Sequence, residues 1–370
     1  MQSIRLKSKT PNVGHKFFRI FLSALHFLQN FREIKSNPQN STKKPTNKRA
    51  LYSFPEMGKR PPLPPDIENG TPPLPPLPPP ARPQFRPPVP VPWYAWLVPL
   101  IFAANFITFA TTMYLNDCPS RSDNCLLFDV LGRLSFQPIK ENMLLGPSIP
   151  TLRRLGALER RLVEEGEKWR LISCIWLHGG LLHLLANMIS LLCIGMRLEQ
   201  EFGFLRIGAL YVISGLGGSI MSCLTDSRGE RVSVGASGAL FGLLGAMLSE
   251  LITNWTIYEN KCTSLMTLIL IIALNLSVGF LPRVDNSAHC GGFLAGFFLG
   301  FVLLLRPQYG YVNPKYIPPG YDVKQKKRHK CYQHVFRITS LAILLAGFIA
   351  GYTKLLREHT VESVPFRDVN

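Results

Sequence analysis

The chain has 370 residues, of which 46% are hydrophobic and only 17% are charged, and its mean hydropathy is +0.13. Soluble domains carry about 25% charged residues, so this composition argues against an ordinary soluble domain and favours a membrane protein. Lys and Arg outnumber Asp and Glu by 41 to 23, a formal net charge of +18. Because cytoplasmic membrane flanks concentrate Lys and Arg, the surplus predicts basic flanks and requires no nucleic-acid partner.

Two segments precede the apolar part of the chain. Residues 1–60 are a basic tail, in which the first 50 residues hold eleven Lys or Arg and one acid, Glu33; this composition resembles a transit peptide or disordered sequence. Residues 61–93 are a cytoplasmic linker with 16 prolines between Pro61 and Pro92, which favours extended polyproline II. Two interpretations of 61–92 stay open: a semi-rigid spacer, or a docking strip for a proline-reading domain.

Seven apolar segments follow, and each has a length near the roughly 20 residues that a helix needs to cross a bilayer. They cover residues 94–115, 171–195, 204–224, 232–252, 264–281, 288–305 and 338–353. The pattern predicts an all-α polytopic membrane protein. Its parts are a six-helix core at 94–305, a basic loop at 306–337, a seventh helix at 338–355 and a C-terminal tail at 356–370.

The distribution of basic residues predicts the orientation. The N-terminal tail and the 306–337 loop, which holds eight Lys or Arg and one acid, lie on the same side when six helices separate them. The N-terminus is therefore expected in the cytoplasm and the C-terminus in the lumen or outside the cell. The sequons at Asn40 and Asn254 then face the cytoplasm, and we expect neither to carry a glycan.

The eight cysteines include no CxxC pair and no zinc-like spacing, so no metal site is predicted. Cys118 and Cys125 form the one close pair, just beyond the first span. Whether they form a disulfide depends on whether this loop faces an oxidising lumen, and both states stay open. Cys174, Cys193 and Cys290 are expected to be small apolar core residues.

Polar side chains inside hydrocarbon are costly, so those within the spans are candidate functional residues. His183 and Asn187, four residues apart in the second span, share one helix face. Ser237 in the fourth span, His289 in the sixth and His178 in the second are expected near the same membrane face. A neutral histidine can take the proton of a serine hydroxyl. Because no acidic residue lies deep in a predicted span, we expect a Ser–His dyad rather than a triad.

The tetrahedral intermediate of such a reaction needs hydrogen-bond donors for its oxyanion. The Asn187 amide, the His183 ring N–H and the Ser237 backbone N–H are the predicted donors. Glycines at Gly292, Gly296 and Gly300 repeat at the GxxxG spacing that lets membrane helices approach closely. They predict contact between the sixth and fourth helices, which would bring His289 toward Ser237.

Four motifs occur in a defined order: Trp169-Arg170, HGGLLHLLAN at 178–187, GASG at 235–238 and AHCGG at 288–292. In this order they resemble the rhomboid family of intramembrane serine proteases, and its plant secretory-pathway branch in particular, over residues 94–355. The resemblance implies a six-helix core with an added seventh helix. It also implies substrates that are single-span membrane proteins, cut within or beside their transmembrane segment, and no cofactor.

The resemblance also assigns roles to individual residues. Ser237 matches the nucleophile, His289 the general base, and His183 with Asn187 the pair that stabilises the oxyanion. Gly235 matches the glycine that permits close backbone approach. His178 matches a supporting histidine.

Trp169 and Arg170 are expected to be interfacial anchors before the second span, and the resemblance adds a role in stabilising the first loop. That loop, residues 116–170, is expected to lie partly in the membrane interface as an amphipathic segment.

Two other functions stay open alongside the protease. One is a catalytically inactive rhomboid-like scaffold that binds transmembrane clients, which the presence of both Ser237 and His289 disfavours. The other is a transporter whose histidines relay protons or metal, which the lack of a buried acidic partner disfavours. The Golgi or plasma membrane is the favoured location, with a plastid or mitochondrial membrane as the alternative suggested by the basic N-terminus.

Overall fold

The computed structural model describes residues 93–120, 122, 124–255, 261–278, 284–306, 308–309 and 327–362. The predicted basic tail, the proline-rich linker up to residue 92, most of the 306–337 loop and the last eight residues lie outside the described residues.

Helices dominate the described residues. In chain order they are α1 (Leu97–Asn116), α2 (Phe128–Leu131), α3 (Ile149–Leu155), α4 (Arg160–Glu164), α5 (Arg170–Ser173), α6 (Leu181–Ser190), α7 (Met196–Phe202), α8 (Phe204–Thr225), α9 (Ser237–Thr253), α10 (Lys261–Val278), α11 (Asn286–Leu303) and α12 (Cys331–Glu362). A π-helical turn at Leu191–Gly195 joins α6 to α7. Two-residue strands β1 (Gln308–Tyr309) and β2 (Lys327–Arg328) pair antiparallel.

The apolar helices confirm an all-α polytopic membrane protein. Within the part of the chain that the structure describes, five helical units are long and apolar enough to cross a bilayer: α1 with the turn after it, the joined α6 and α7, α8, α11 and α12. The apolar stretches of α9 and α10 are shorter, at Ser237–Thr253 and Lys261–Ala273. Each of these seven helices overlaps one of the seven predicted apolar segments.

Helix α9 lies at the centre of the bundle and packs most extensively against α11 and α8. Its buried residues occur on all sides, and small residues let its neighbours approach. A methyl group added at Gly292 would collide with the Gly238 carbonyl, and one added at Gly296 would collide with Gly242. At Gly300 it would meet Ala246 and Ser249. The glycine repeat of α11 therefore packs directly on the backbone of α9.

The structure corrects the predicted second span, which was expected to be helical over residues 171–195. Only the short helix α5 forms before Cys174, and α6 begins at Leu181. The interruption arises because the Gly179–Gly180 backbone packs on the loop: the Leu181 N–H donates to the Leu145 carbonyl at 2.8 Å. His178 therefore precedes α6 instead of lying seven residues inside a membrane helix. At its other end the helix continues past 195 to Phe202.

The fourth and seventh spans also begin elsewhere than expected. Helix α9 starts at Ser237, so residues 232–236 are not helical and Ser237 is the first residue of its helix. Helix α12 starts at Cys331, inside the predicted basic loop. Hydropathy misplaces the start of α9 because it does not detect the backbone pairing of the segment that precedes this helix. It misplaces the start of α12 because the first turns of that helix contain polar and charged residues.

Two smaller expectations also need correction. Cys290 is exposed and Cys193 is partly exposed, while Cys174 is buried. Adjacent helical residues point about 100° apart, so the turn that buries His289 against α9 directs Cys290 outward.

The helix ends opposite Ser237 are joined by polar side chains. The Glu199 carboxylate, fully buried, accepts hydrogen bonds from the backbone N–H groups of Trp96, Leu97 and Val98 at 2.8–2.9 Å. It thereby satisfies N–H groups at the start of α1 that have no partner within the helix. This is a buried acidic residue that the sequence analysis assigned to no span.

A second polar cluster at this end ties α12 to the core. Asn254, fully buried, donates from Nδ2 to the Leu304 carbonyl at 3.1 Å and accepts from the Arg306 N–H at 3.2 Å. Gln333 of α12 donates to the Arg306 carbonyl at 3.2 Å, and the Arg306 guanidinium pairs with Glu250. The burial of Asn254 gives a structural reason, independent of topology, why its sequon would not accept a glycan.

Candidate active site

Ser237 and His289 meet where α9 and α11 begin. The Ser237 Oγ lies 2.8 Å from His289 Nε2, within hydrogen-bond distance. The imidazole is buried and stacks on the Phe241 ring, with centroids 4.3 Å apart and planes 18° apart. Phe241 is one helical turn after Ser237, so the same helix supplies the hydroxyl and the surface that orients its partner.

The backbone before Ser237 is held in one conformation. Gly235 has φ +126°, a region that residues with a Cβ rarely adopt. Its N–H donates to the Cys174 carbonyl at 2.9 Å, and a methyl group there would lie 2.6 Å from His183 Cε1. Gly235 therefore brings the backbone against the His183 ring, and no larger residue fits without displacing it.

His183 and Asn187 lie on the face of α6 that is directed at this backbone. A Cβ at Gly235 would be 2.9 Å from His183 Nε2 and 3.5 Å from Asn187 Nδ2. Asn187 Nδ2 is buried, and no hydrogen-bond partner for it exists among the described residues. A buried amide donor without a partner raises the free energy of the folded protein. This arrangement is consistent with a donor that bonds the oxygen of a ligand.

His178 supports this group from behind. It is fully buried, and its ring packs edge-on against the His183 ring with centroids 5.4 Å apart. Its Nδ1 lies 3.3 Å from the Trp176 carbonyl. The structure thus places His178 against the His183 ring and the Trp176 backbone.

The first loop packs over the start of α6. Asn142 Nδ2 donates to the Pro147 and Gly179 carbonyls, both at 2.8 Å. Asn116, at the end of α1, accepts from the Ser148 N–H and the Thr151 hydroxyl, both at 2.9 Å. Cys118 and Cys125 form a disulfide in the same loop. These contacts fix the loop beside the start of α6.

The structure corrects the interfacial role expected of Arg170. The residue is only 5% exposed, and its Nη1 donates to the Arg153 and Ala157 carbonyls at 2.7 and 2.9 Å. Trp169 is half exposed, and its ring lies against Gly156. Arg170 therefore fastens the loop helices from inside the protein instead of anchoring them in the lipid interface.

One charged residue near the pair was missed by the sequence analysis. Asp285 caps α11, accepting from the Ala288 N–H at 3.1 Å, and also accepts a hydrogen bond from the Ser222 hydroxyl. Asp directly before an apolar helix is a typical capping signal, and it lies four residues before His289. The pattern was available in the sequence, but the predicted sixth span began at 288, after this residue.

A small cavity of ≈ 20 Å³ lies behind the Ser237 segment, between Gly235, Gly238 and Ala288. Cys174 and Ser219 line it and contact each other, Sγ to Oγ, at 3.2 Å. This volume is enough for about one water molecule, and its walls offer polar partners.

The structure therefore brings together Ser237, His289, His183, Asn187 and Gly235, with His178 one layer behind. Gly292, Gly296 and Gly300 lie along the α9–α11 contact and not in the site. Trp169 and Arg170 act on the first loop, and Cys118 and Cys125 lie within it.

Comparison with known proteins agrees with this architecture. Residues 165–306 match the model of the Rhomboid domain. The chain is 88% identical to RHOMBOID-like protein 5 of Arabidopsis thaliana over 315 residues, which are 85% of this chain and the whole of that protein. The chain therefore belongs to the rhomboid family.

Two further relatives carry contrasting names. The chain is 39% identical to rhomboid protease GluP of Bacillus subtilis over 154 residues, 41% of this chain and 29% of that protein. It is 40% identical to inactive RHOMBOID-like protein 8 of Arabidopsis thaliana over 261 residues, 69% of this chain and 74% of that protein. Since the family includes a member named as inactive, the residues of the site must decide the activity of this chain.

Proposed function

We propose that this protein is an intramembrane serine endopeptidase that cuts single-span membrane proteins within or next to their transmembrane segment. The observation that carries the proposal is the 2.8 Å contact between Ser237 Oγ and His289 Nε2 at the start of two membrane helices. Family membership and the protease name of one relative support it.

Each group has a role in the proposed reaction. Ser237 Oγ attacks the scissile carbonyl while His289 Nε2 takes the hydroxyl proton and then gives it to the leaving amine. Water hydrolyses the resulting acyl-enzyme with His289 again as base. The Asn187 amide, the His183 ring and the N–H at the start of α9 stabilise the oxyanion, aided by the positive end of the helix dipole.

The dyad works without an acidic third member. His289 Nδ1 is buried and has no hydrogen-bond partner among the described residues. Asp285, one turn away, is engaged in capping α11. Stacking on Phe241 then orients the imidazole in place of a carboxylate.

The location we propose is a membrane of the secretory pathway, Golgi or plasma membrane. The Cys118–Cys125 disulfide lies in the loop that packs beside the site, so this loop and the site open to an oxidising compartment. The N-terminal side, with its proline-rich strip, then faces the cytoplasm, where a proline-reading domain is the proposed partner.

The test is release of the lumenal domain of a tagged single-span client from cells that express the full chain. We expect the wild type to release this domain. In Ser237→Ala and in His289→Ala the release rate should fall by roughly 10³-fold or more. His334→Ala, exposed on α12 at the opposite end, is the matched histidine control and should cleave normally. Equal release by all four proteins would reject the protease, and client binding without cleavage would favour the scaffold.

A further inference from the structure

We propose that Asp285 is a positioning residue for the Ser237–His289 pair, because its carboxylate fixes the start of α11 against α8 and the segment that precedes α9. The inference rests on the proposed function of this site. Asp285 does not contact the reacting atoms, so its effect passes through the placement of His289.

The Asp285 carboxylate joins three parts of the chain. Oδ1 accepts from the Ala288 N–H at 3.1 Å, which caps the helix that carries His289. Oδ2 accepts a hydrogen bond from Ser222, a buried residue near the end of α8. Oδ1 also lies 3.5 Å from the guanidinium of Arg231, in the segment that leads to Ser237.

The position of α11 matters because little else holds the His289 ring. Its Nδ1 lacks a hydrogen-bond partner in the part of the chain that the structure describes. The ring is set by stacking on Phe241 and by the first turn of α11, in which the His289 N–H donates to the Asp285 carbonyl at 3.3 Å. A shift of this turn would move the imidazole and lengthen its contact with Ser237.

The first turn of α11 is also packed tightly, so it has little freedom to move. A methyl group at Gly218 would lie 2.7 Å from the Ala288 carbonyl oxygen, and one at Gly238 would lie 3.3 Å from it. The turn thus lies against the backbones of both α8 and α9. The capping bond and the Ser222 bond hold it there.

Of the three contacts, the two hydrogen bonds are expected to dominate. The Arg231 side chain is 45% exposed, and an exposed ion pair contributes little. An asparagine at 285 retains a carbonyl oxygen that can accept from the Ala288 N–H, and its amide N–H can donate to the Ser222 hydroxyl oxygen, whereas an alanine retains neither bond. The inference therefore predicts rescue by Asn.

The experiment measures the reaction of Ser237 with a fluorophosphonate probe and the kcat and KM for a single-span client, using the full chain in detergent micelles. The labelling endpoint counts folded sites, and the labelling rate constant reports the reactivity of each site. We expect Asp285→Ala to lower that rate constant and kcat at least about 10-fold with KM unchanged, because small misplacements of catalytic groups are costly. Asp285→Asn should stay within about 3-fold of wild type.

Ser222→Ala supplies a second, milder variant, expected to lower the rate constant about 3-fold. Its matched control is Thr225→Ala: Thr225 is exposed on the same turn of α8, and its hydroxyl donates to the Met221 and Ser222 carbonyls of its own helix. The control should match wild type.

A purely structural role for Asp285 would lower the labelling endpoint and leave the rate constant per folded site unchanged, which overturns the inference. It is also overturned if Asp285→Asn is as slow as Asp285→Ala, since that result assigns the effect to charge. Failure of the proposed function looks different: wild type itself would neither label at Ser237 nor cleave.

Discussion

Two buried asparagines at opposite ends of the helices differ in the hydrogen bonds that their amides form. Asn254 is bonded through both ends of its amide, to the Leu304 carbonyl and the Arg306 N–H. Asn187 Nδ2, near Gly235, is buried with no partner among the described residues. The same residue type therefore cross-links helix ends in one place and keeps an unbonded amide nitrogen in the other, so the two side chains are expected to differ in what they contribute to stability.

Asn187→Ala should produce the largest effect on this comparison. If its amide donates to the oxyanion, we expect kcat to fall by about 100-fold or more. Stability should change little, because no hydrogen bond of Nδ2 is lost. Client cleavage kinetics and unfolding by a denaturing detergent measure the two quantities. A loss of stability with normal kcat per folded molecule would contradict the proposed role.

Gly296→Ala tests the contact that connects the two ends. The new methyl group would overlap the Gly242 backbone of α9, and overpacking of this kind costs about 1–3 kcal/mol. We expect both the unfolding free energy and the activity to fall. Gly347→Ala on α12 is the matched control and should not destabilise the protein, because among the described residues the added methyl would meet nothing within 4 Å apart from the local backbone of its own helix.

Asn254→Ala should show the reverse of the Asn187→Ala pattern. Removing the amide leaves the Arg306 N–H and the Leu304 carbonyl without this partner, at a cost of about 1–3 kcal/mol. We expect a lower unfolding free energy with kcat per folded molecule unchanged, measured in the same two assays. A larger loss in kcat than in stability would show that the two ends are coupled.

The all-α membrane fold and the approach of His289 to Ser237 could be predicted from the sequence, and the helix starts could not. Apolar length locates seven spans because hydrocarbon requires it. The start of α6 at Leu181 depends on a contact with Leu145, and the start of α9 depends on Gly235 bonding Cys174. Such contacts join segments that are distant in sequence, and no local pattern encodes them.

Buried charge was the second point at which prediction failed. Glu199 follows the predicted end of the second span and has the sequence appearance of a charged membrane flank, yet it caps α1 about a hundred residues away. Arg170 likewise lies where the sequence predicts an interfacial anchor, but its side chain is buried and bonds loop carbonyls. A charge close to a membrane span can serve either purpose, and only its partners distinguish the two.

The π-helical turn at Leu191–Gly195 rotates the residues that follow it about the helix axis, and the spacing of residues in the sequence does not reveal this rotation. Its hydrogen bonds span one residue more than an α-turn, which rotates α7 by roughly 100° relative to an uninterrupted helix. The faces that carry Asn187 and Glu199 are set relative to each other by this extra residue. A homologue with a regular helix here would align with both residues only if a one-residue gap were placed inside 191–195.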